Sequence, residues 1–412
     1  MAVKTSTDHA PDFALEGTAS AIASARRAAV ADRYAADSFA VEWREISELA
    51  AIADEWRELA SRALSPNVFY EPAFALAAVA IFGRDAGAVL VWSGTSPRKL
   101  LGFFPGRIET RRYGLKLPVL VGWTHPYAPL GTPLVEREAA EPVIAAWLAH
   151  LSANADLPGL VLLPFLPETG PFAEALATIL RRARMPAADF NRHRRALLAP
   201  PADQRPQYVE RSLSARRLKE LRRIGRRLSD LGALLFTTAR DHAAVAAAAD
   251  EFLALEASGW KGKAGTAAAR RADTRRFMQS ALRDLAAEGK VAVNRVLLDG
   301  HAIAASITLR SADCAWFWKI AYDERFARYS PGVMLTIALS EDLLAETDIT
   351  QTDSCATANH PMIDHIWRER LALCDLMIGV RPQALYSAAQ RLERLRGRLI
   401  ALGRNARNKF RR

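Results

Sequence analysis

The chain has 412 residues, too many for one ordinary hydrophobic core, and its 50% hydrophobic and 25% charged residues exclude a disordered or fibrous class. Its net charge of +11 is concentrated: residues 205–231 hold nine basic side chains against three acidic, residues 391–412 nine against one, and the rest sums to −3. Three cysteines with no CxxC pair exclude a disulfide framework and a spelled-out zinc site, and Pro118, Pro126, Pro129 and Pro133 exclude a spanning helix from the apolar segment 117–135.

Residues 1–38 carry Asp8, Asp12 and Glu16 and no apolar run, so they read as a loose Ala-rich lead and not as a secretory signal. From Phe39 the spacing predicts a strand in "FAVEWREI", a helix over 49–63, and a second helix in "PNVFYEPAFALAAVAIFG", opened by Pro66 and stopped by Gly83. Strands follow in "AVLVWSG" and "LLGFFPGRIE", then the Pro/Gly-punctuated "WTHPYAPLGTPL". Helices over 141–151 and 172–184 bracket a buried strand "GLVLLPF", and "RRALLA" is a further strand. Pro200, Pro201 and Pro206 then mark a boundary, giving a first domain at 39–204 and a second at 205–380, with a tail at 381–412.

The second part opens with a basic helix in which Leu218, Leu221, Ile224, Leu228 and Leu231 recur every three or four residues. A strand "ALLFTTA", an Ala-rich helix ending in "LEASGWKGKAGT" and a helix over 266–288 come next. Two strands, "VAVNRVLL" and "HAIAASITL", flank Asp299-Gly300, a strong two-residue hairpin signal. After "CAWFWKIA" comes "RFARYSPGVML": Ser330 as N-cap, Pro331 at the first helical position, Gly332 leaving the backbone bare, and Arg325 and Arg328 adding charge upstream. Such a helix start suits an anion, although capping alone also explains it. A strand "ITQTDSCA", a short helix over 362–369 and a strand "LALCDLMIG" complete a mixed α/β pattern that the first part repeats loosely.

This order, with "LEASGWKGKAGTA", "YDERFARYSPGVML" and "TDSCATANHPMIDHIWRER", resembles the GNAT acyltransferases, and within them the tandem branch with the CelD/BcsL-type proteins of bacterial cellulose operons and, more distantly, the Fem-type transferases. The resemblance implies two tandem GNAT-like domains, each a mixed sheet flanked by helices. It also implies acetyl-CoA or another acyl-CoA as co-substrate, its pyrophosphate meeting Arg325, Arg328, Tyr329, Ser330, Pro331 and Gly332. GNAT enzymes usually place further glycines before this helix; here Gly332 stands alone, so fewer bare N–H groups face a phosphate.

Acyl transfer needs an aligned thioester and nucleophile, donors to the oxyanion, and a proton acceptor, so no Ser-His-Asp triad is required. The candidate bases are Asp353, Glu256 and His360; each also has an ordinary reading, as a turn cap, a helix end and a helix cap. Trp260, Lys261 and Lys263, set between glycines, offer an aromatic face and two cations to a substrate, or form a solvated basic loop. Lys319, inside the apolar "WFWKIAY", needs a partner or a ligand unless it snorkels to an edge. No metal is called for.

The reading is a cytoplasmic acyltransferase acting on an amine or hydroxyl of a sugar, polysaccharide precursor or metabolite. A Fem-like transferase using aminoacyl-tRNA and a non-catalytic scaffold of envelope assembly are the alternatives. Nucleic acid is not the expected partner, since the basic helix lacks interleaved aromatics. The tail, with Leu392, Leu395, Leu399 and Ile400 on one side among arginines, is suited to the inner face of an anionic membrane or to service as a solubilising tail.

Overall fold

A computed structural model describes residues 39–94, 96–265, 267–381 and 383–409; the lead 1–38 lies outside the described residues. The elements run β1 (Ala40–Glu45), α1 (Ala53–Arg62), α2 (Pro72–Phe82), β2 (Ala86–Trp92), β3 (Leu100–Glu109), β4 (Val119–Gly122), β5 (Leu134–Val135), α3 (Ala140–Ala153), β6 (Leu160–Pro167), α4 (Pro171–Arg182) and β7 (Ala187–Leu198). The second part adds α5 (Tyr208–Ser212), α6 (Ala215–Ser229), β8 (Leu234–Ala239), α7 (His242–Ser258), α8 (Trp260–Lys263), α9 (Ala272–Ala287), β9 (Val291–Leu298), β10 (His301–Ser311), β11 (Cys314–Tyr322), α10 (Pro331–Ala345), β12 (Gln351–Asp353), β13 (Glu369–Gly379) and α11 (Gln383–Lys409). The expected mixed α/β architecture holds.

The strands form one continuous sheet in the order β1-β2-β3-β4-β6-β13-β7-β12-β11-β10-β9-β8, with β5 on β3. The strand β13 comes from the end of the chain yet lies between β6 and β7, antiparallel to both. The expected boundary near 204 falls in a short 3-10 turn, Ala202–Gln204, but the two parts share a sheet across it. A large apolar cluster also runs through both: Trp56, Phe69, Phe74 and Phe103 of the first pack with Phe252, Phe277, Trp316 and Trp318 of the second.

Local chemistry explains most elements. Asp299 and Gly300 both take positive φ, 49° and 79°, the backbone of a type I′ hairpin between β9 and β10. Ser214 and Asp241 cap α6 and α7 by accepting from the N–H groups of Arg217 and Ala244 at 3.2 and 2.9 Å. On α6, Leu221, Ile224 and Leu228 are buried as their spacing predicts, whereas Leu231 is exposed. Three helices differ from expectation: the one expected over 266–288 runs Ala272–Ala287, the one expected over 362–369 is only a 3-10 turn, Ile363–His365, and α2 begins at Pro72, not at Pro66. The buried Asn67 donates to the carbonyls of Leu130 and Thr132 at 3.2 and 2.9 Å and accepts from Phe69 N–H, which holds residues 67–70 in a separate turn.

Candidate active site

Strands β11 and β12 are parallel neighbours for only three residue pairs, Cys314 with Gln351, Ala315 with Thr352 and Trp316 with Asp353. Beyond that β11 continues to Tyr322, while the other strand turns away. The turn is chemical: Asp353 Oδ1 accepts from the N–H of Cys355 at 3.0 Å, and Cys355 takes φ 51°. A wedge therefore opens inside the sheet, and among the described residues the β12-facing edge of residues 317–322 has no strand partner. Opposite it, the register of β10 on β11 shifts between Ile307 and Thr308, leaving Trp318 as a bulge, a device that re-aims side chains beside such openings.

A groove of about 460 Å³ lies over the wedge, floored by Ile320, Ala321 and Tyr322. Its walls are Glu256 and Gly259 at the end of α7, Ser330, Pro331 and Gly332 at the start of α10, and His360 to Met362. Five sequence-predicted residues thus meet in one place: Glu256, Ser330, Pro331, Gly332 and His360.

The start of α10 departs from expectation in one respect. Ser330 takes a left-handed backbone (φ 50°, ψ 48°) and its hydroxyl caps nothing; instead its carbonyl accepts from Val333 and Met334 N–H at 3.0 and 3.2 Å. The left-handed turn swings the side chain off the helix axis, which is why the expected N-cap is not made. Among the described residues, Gly332 N–H has no backbone partner, and it sits in the groove wall at the positive end of a 15-residue helix. Acyl-CoA fits this cradle: an extended apolar-floored groove ends on a free donor.

The upstream arginines are engaged elsewhere. Arg325 forks onto Asp323, with contacts of 2.7 to 3.1 Å that hold that carboxyl below its usual range. The Arg328 guanidinium lies 4.7 Å over the Tyr329 ring. None of these three is in the groove wall. The "SGWKGK" segment is the short helix α8, tied by Lys263 to Glu324 at 2.6 Å. Gly262 is obligatory there, because a Cβ would sit 1.7 Å from the Ala257 carbonyl oxygen. The side chains of Trp260 and Lys261 lie outside the described set.

Of the three candidate bases, Glu256 has the geometry for the task. It is buried, it lines the groove, and one carboxylate oxygen is anchored by Ala268 N–H at 2.9 Å. His360 Nδ1 accepts from Met362 and Ile363 N–H at 3.3 and 3.4 Å, so it caps the turn Ile363–His365 while facing the groove. Asp353 ends β12 but does not line the groove. Both its oxygens are committed, one to Cys355 N–H and the other to the buried Arg195, and it borders a different cavity with Trp316, Gln351 and Arg370. Held this way, the carboxylate ties β12 to β7 as a strut.

The first part of the chain supplies residues that sequence reasoning missed. The loop after β4 brings Tyr127 beside β11: Trp318 Nε1 donates to the Tyr127 carbonyl at 2.8 Å, and Lys319 Nζ lies 4.1 Å from the Tyr127 ring centre. That cation–π seat, with Trp318 at 5.7 Å, is where the odd lysine of "WFWKIAY" goes. Burial, then the charge of Glu256, pushes the Tyr127 phenol up to about 12. His125 stacks on Phe82 at 4.1 Å, and burial with the nearby Lys319 charge lowers its pKa to about 3. Cys355, packed beside Asp353, is held as a thiol by burial and by that carboxylate, which argues against a cysteine nucleophile. Aromatic residues around Pro126 in an irregular stretch were the available signal.

The first part has the same local plan without the cradle. Strands β4 and β6 are parallel over two pairs, Leu120 with Val161 and Val121 with Leu162, and α3 connects them. Yet α3 opens after Glu136 and Glu138 and carries Glu141 in its first turn, which repels an anion there.

Residues 215–360 match the family described as Acetyltransferase (GNAT) domain. No curated protein matches the chain. Among solved structures, FemX is similar at 11% identity and a TM-score of 0.54, over 84% of this chain and 99% of its own. The C-terminal (DUF2156) domain of a putative lysylphosphatidylglycerol synthetase from Agrobacterium fabrum is similar at 12% identity and a TM-score of 0.50, over 83% and 95%. At such identities the likeness is one of fold. The segment that builds the wedge, the groove and the α10 cradle is thus the segment that is similar to a GNAT acetyltransferase domain.

Proposed function

We propose that this protein transfers an acyl group from coenzyme A to an amine or hydroxyl acceptor at the β11/β12 wedge. The observation that carries the reading is the groove joining the free Gly332 N–H at the start of α10 to the buried carboxylate of Glu256. A bound acyl-CoA would supply the thioester and its thiolate leaving group. The α10 terminus would hold the pyrophosphate, the unpaired edge of β11 would align the chain and offer N–H donors, and Glu256 would take the proton of the attacking group. Tyr127, His125 and Lys319 would form the acceptor-side wall, so the first part of the chain would shape what is acylated. Acetyl as the acyl group, and a sugar or polysaccharide precursor as acceptor, rest on the sequence resemblance. Calorimetric titration of the full chain with acetyl-CoA and with CoA tests the reading. Saturable one-to-one binding is expected, and absence of binding by the folded protein would overturn it.

A further inference from the structure

Helix α11 leaves the body of the molecule in an unusual way. Its first half docks: Tyr386 and Ala389 are buried and Leu392 packs against the cluster of Val119, Leu160 and Met377. Glu393 is buried as well, accepting from Arg112 Nε at 2.6 Å and from the Tyr113 hydroxyl at 3.0 Å. These contacts pin the helix to the loop of residues 110–116 between β3 and β4. Past Glu393 the apolar side chains face water: Leu395 is 55% exposed, Leu399 60% and Leu402 65%. Their i, i+4, i+7 spacing puts them on one strip that continues the side of Leu392 past the docked half, whereas Ile400 lies round the helix from it, which corrects the expectation that Ile400 shares that side. The pinned loop adds Tyr113 and Leu115, 45% and 56% exposed. Large apolar side chains on two adjacent elements form a patch that a soluble surface normally avoids.

The charge around the patch is of one sign. The loop contributes Arg111 and Lys116, and the helix Arg391, Arg394, Arg396 and Arg398, while Glu393, the sole acid on either segment, is buried and neutralised by Arg112. A second copy of the chain would bring these cations against their own kind. Nucleic acid would leave the leucines in water. Anionic phospholipid satisfies both halves of the surface, with acyl chains for the leucines and phosphates for the arginines. No helix among the described residues is long and apolar enough to cross a membrane. We propose that the 110–116 loop and the 391–402 stretch of α11 together form a docking surface that lies in the plane of an anionic lipid bilayer. The buried Glu393, bonded to Arg112 and Tyr113, sets the angle between loop and helix.

Co-sedimentation of the full chain with phosphatidylcholine vesicles, and with vesicles carrying a third phosphatidylglycerol, tests this. Binding is expected only to the anionic vesicles, and it should fall at least tenfold when salt rises from 50 to 500 mM. Arg394→Glu with Arg398→Glu should weaken it at least tenfold, from about fivefold per reversed cation. Leu399→Asp alone should weaken it severalfold, and so should Leu115→Asp, which touches only the loop; all these positions are exposed, and far-ultraviolet circular dichroism checks that the fold persists. Equal binding to both vesicle types, or no binding, would overturn the proposal. So would unchanged binding by Leu399→Asp and Leu115→Asp, which would leave a purely electrostatic contact, or a concentration-dependent dimer in light scattering that Leu399→Asp abolishes.

Discussion

The Arg195 guanidinium and the Asp353 carboxylate form a buried ion pair that joins β7 of the first part to the last residue of β12. Arg195 also donates from Nη1 to the Pro129 carbonyl at 2.9 Å, in the loop that carries His125 and Tyr127. One side chain thus fixes the strand end at which the wedge opens and the loop that seats Lys319. Asp353→Asn leaves a buried cation without its counter-charge and should cost about 3–5 kcal/mol in urea unfolding. Replacing both partners, Arg195→Met with Asp353→Leu, should recover much of that loss. A D353N protein as stable as the parent would remove the strut assignment, and a change in the pH profile of acyl transfer would return Asp353 to the chemistry.

At Gly332 the space available decides between two substitutions. A Cβ there would lie 3.5 Å from the Tyr322 ring and 3.6 Å from Ile320 Cδ1, ordinary contact distances, so Gly332→Ala fits. A longer side chain has to extend into the groove over Ile320 and Tyr322. Calorimetry should find CoA affinity changed less than about threefold in G332A and reduced at least tenfold in G332L, at similar melting temperatures. Equal affinities in the two variants would move the pyrophosphate elsewhere.

What the sequence made legible follows the range of the interaction. Asp299-Gly300 gave the hairpin because turn chemistry is local, and Leu221, Ile224 and Leu228 gave the buried strip of α6 because helical periodicity is local. The start of α10 was readable from Pro331 and Gly332, though not the left-handed backbone of Ser330. The partner of Asp353 lies 158 residues away, and the insertion of β13 between β6 and β7 depends on pairings that no periodicity reports. Likewise Tyr127 reaches Lys319 only because the two parts share one sheet. The groove was half legible for that reason: Glu256, Ser330, Pro331, Gly332 and His360 lie on the motifs and line it, Arg325, Arg328, Tyr329 and Asp353 lie on the motifs and do not, and Tyr127 is delivered by topology.

Glu256 and His360 share the groove but differ in what their polar atoms are already doing. Glu256→Gln keeps an oxygen for the Ala268 N–H and removes the negative charge. Turnover should fall by about 10²–10⁴ with CoA affinity little changed. His360→Asn keeps an acceptor for the Met362 and Ile363 N–H groups and should cost less than about threefold in turnover. A large loss in H360N with a mild one in E256Q would exchange the two roles.

His125 gives the fold a pH dependence of definite sign. Enclosed by Phe74, Phe82, Trp123 and Phe277 and facing the Lys319 charge, it stays neutral in the folded state down to about pH 3, whereas the unfolded chain takes up that proton near 6.5. Between those values the unfolded state binds more protons, so this group lowers stability as the pH falls, by at most about 1.4 kcal/mol per pH unit, and contributes nothing above 6.5. His125→Phe retains a ring to stack on Phe82 and removes the titrating site. The stability difference between parent and variant, measured by urea unfolding at pH 7.5, 6, 5 and 4.5, should shift steadily in favour of H125F below about pH 6.5. Parallel stability curves across that range would mean that the ring is solvated and charges freely, and the aromatic wall beside Lys319 would then be open to water instead of closed over the acceptor side of the wedge.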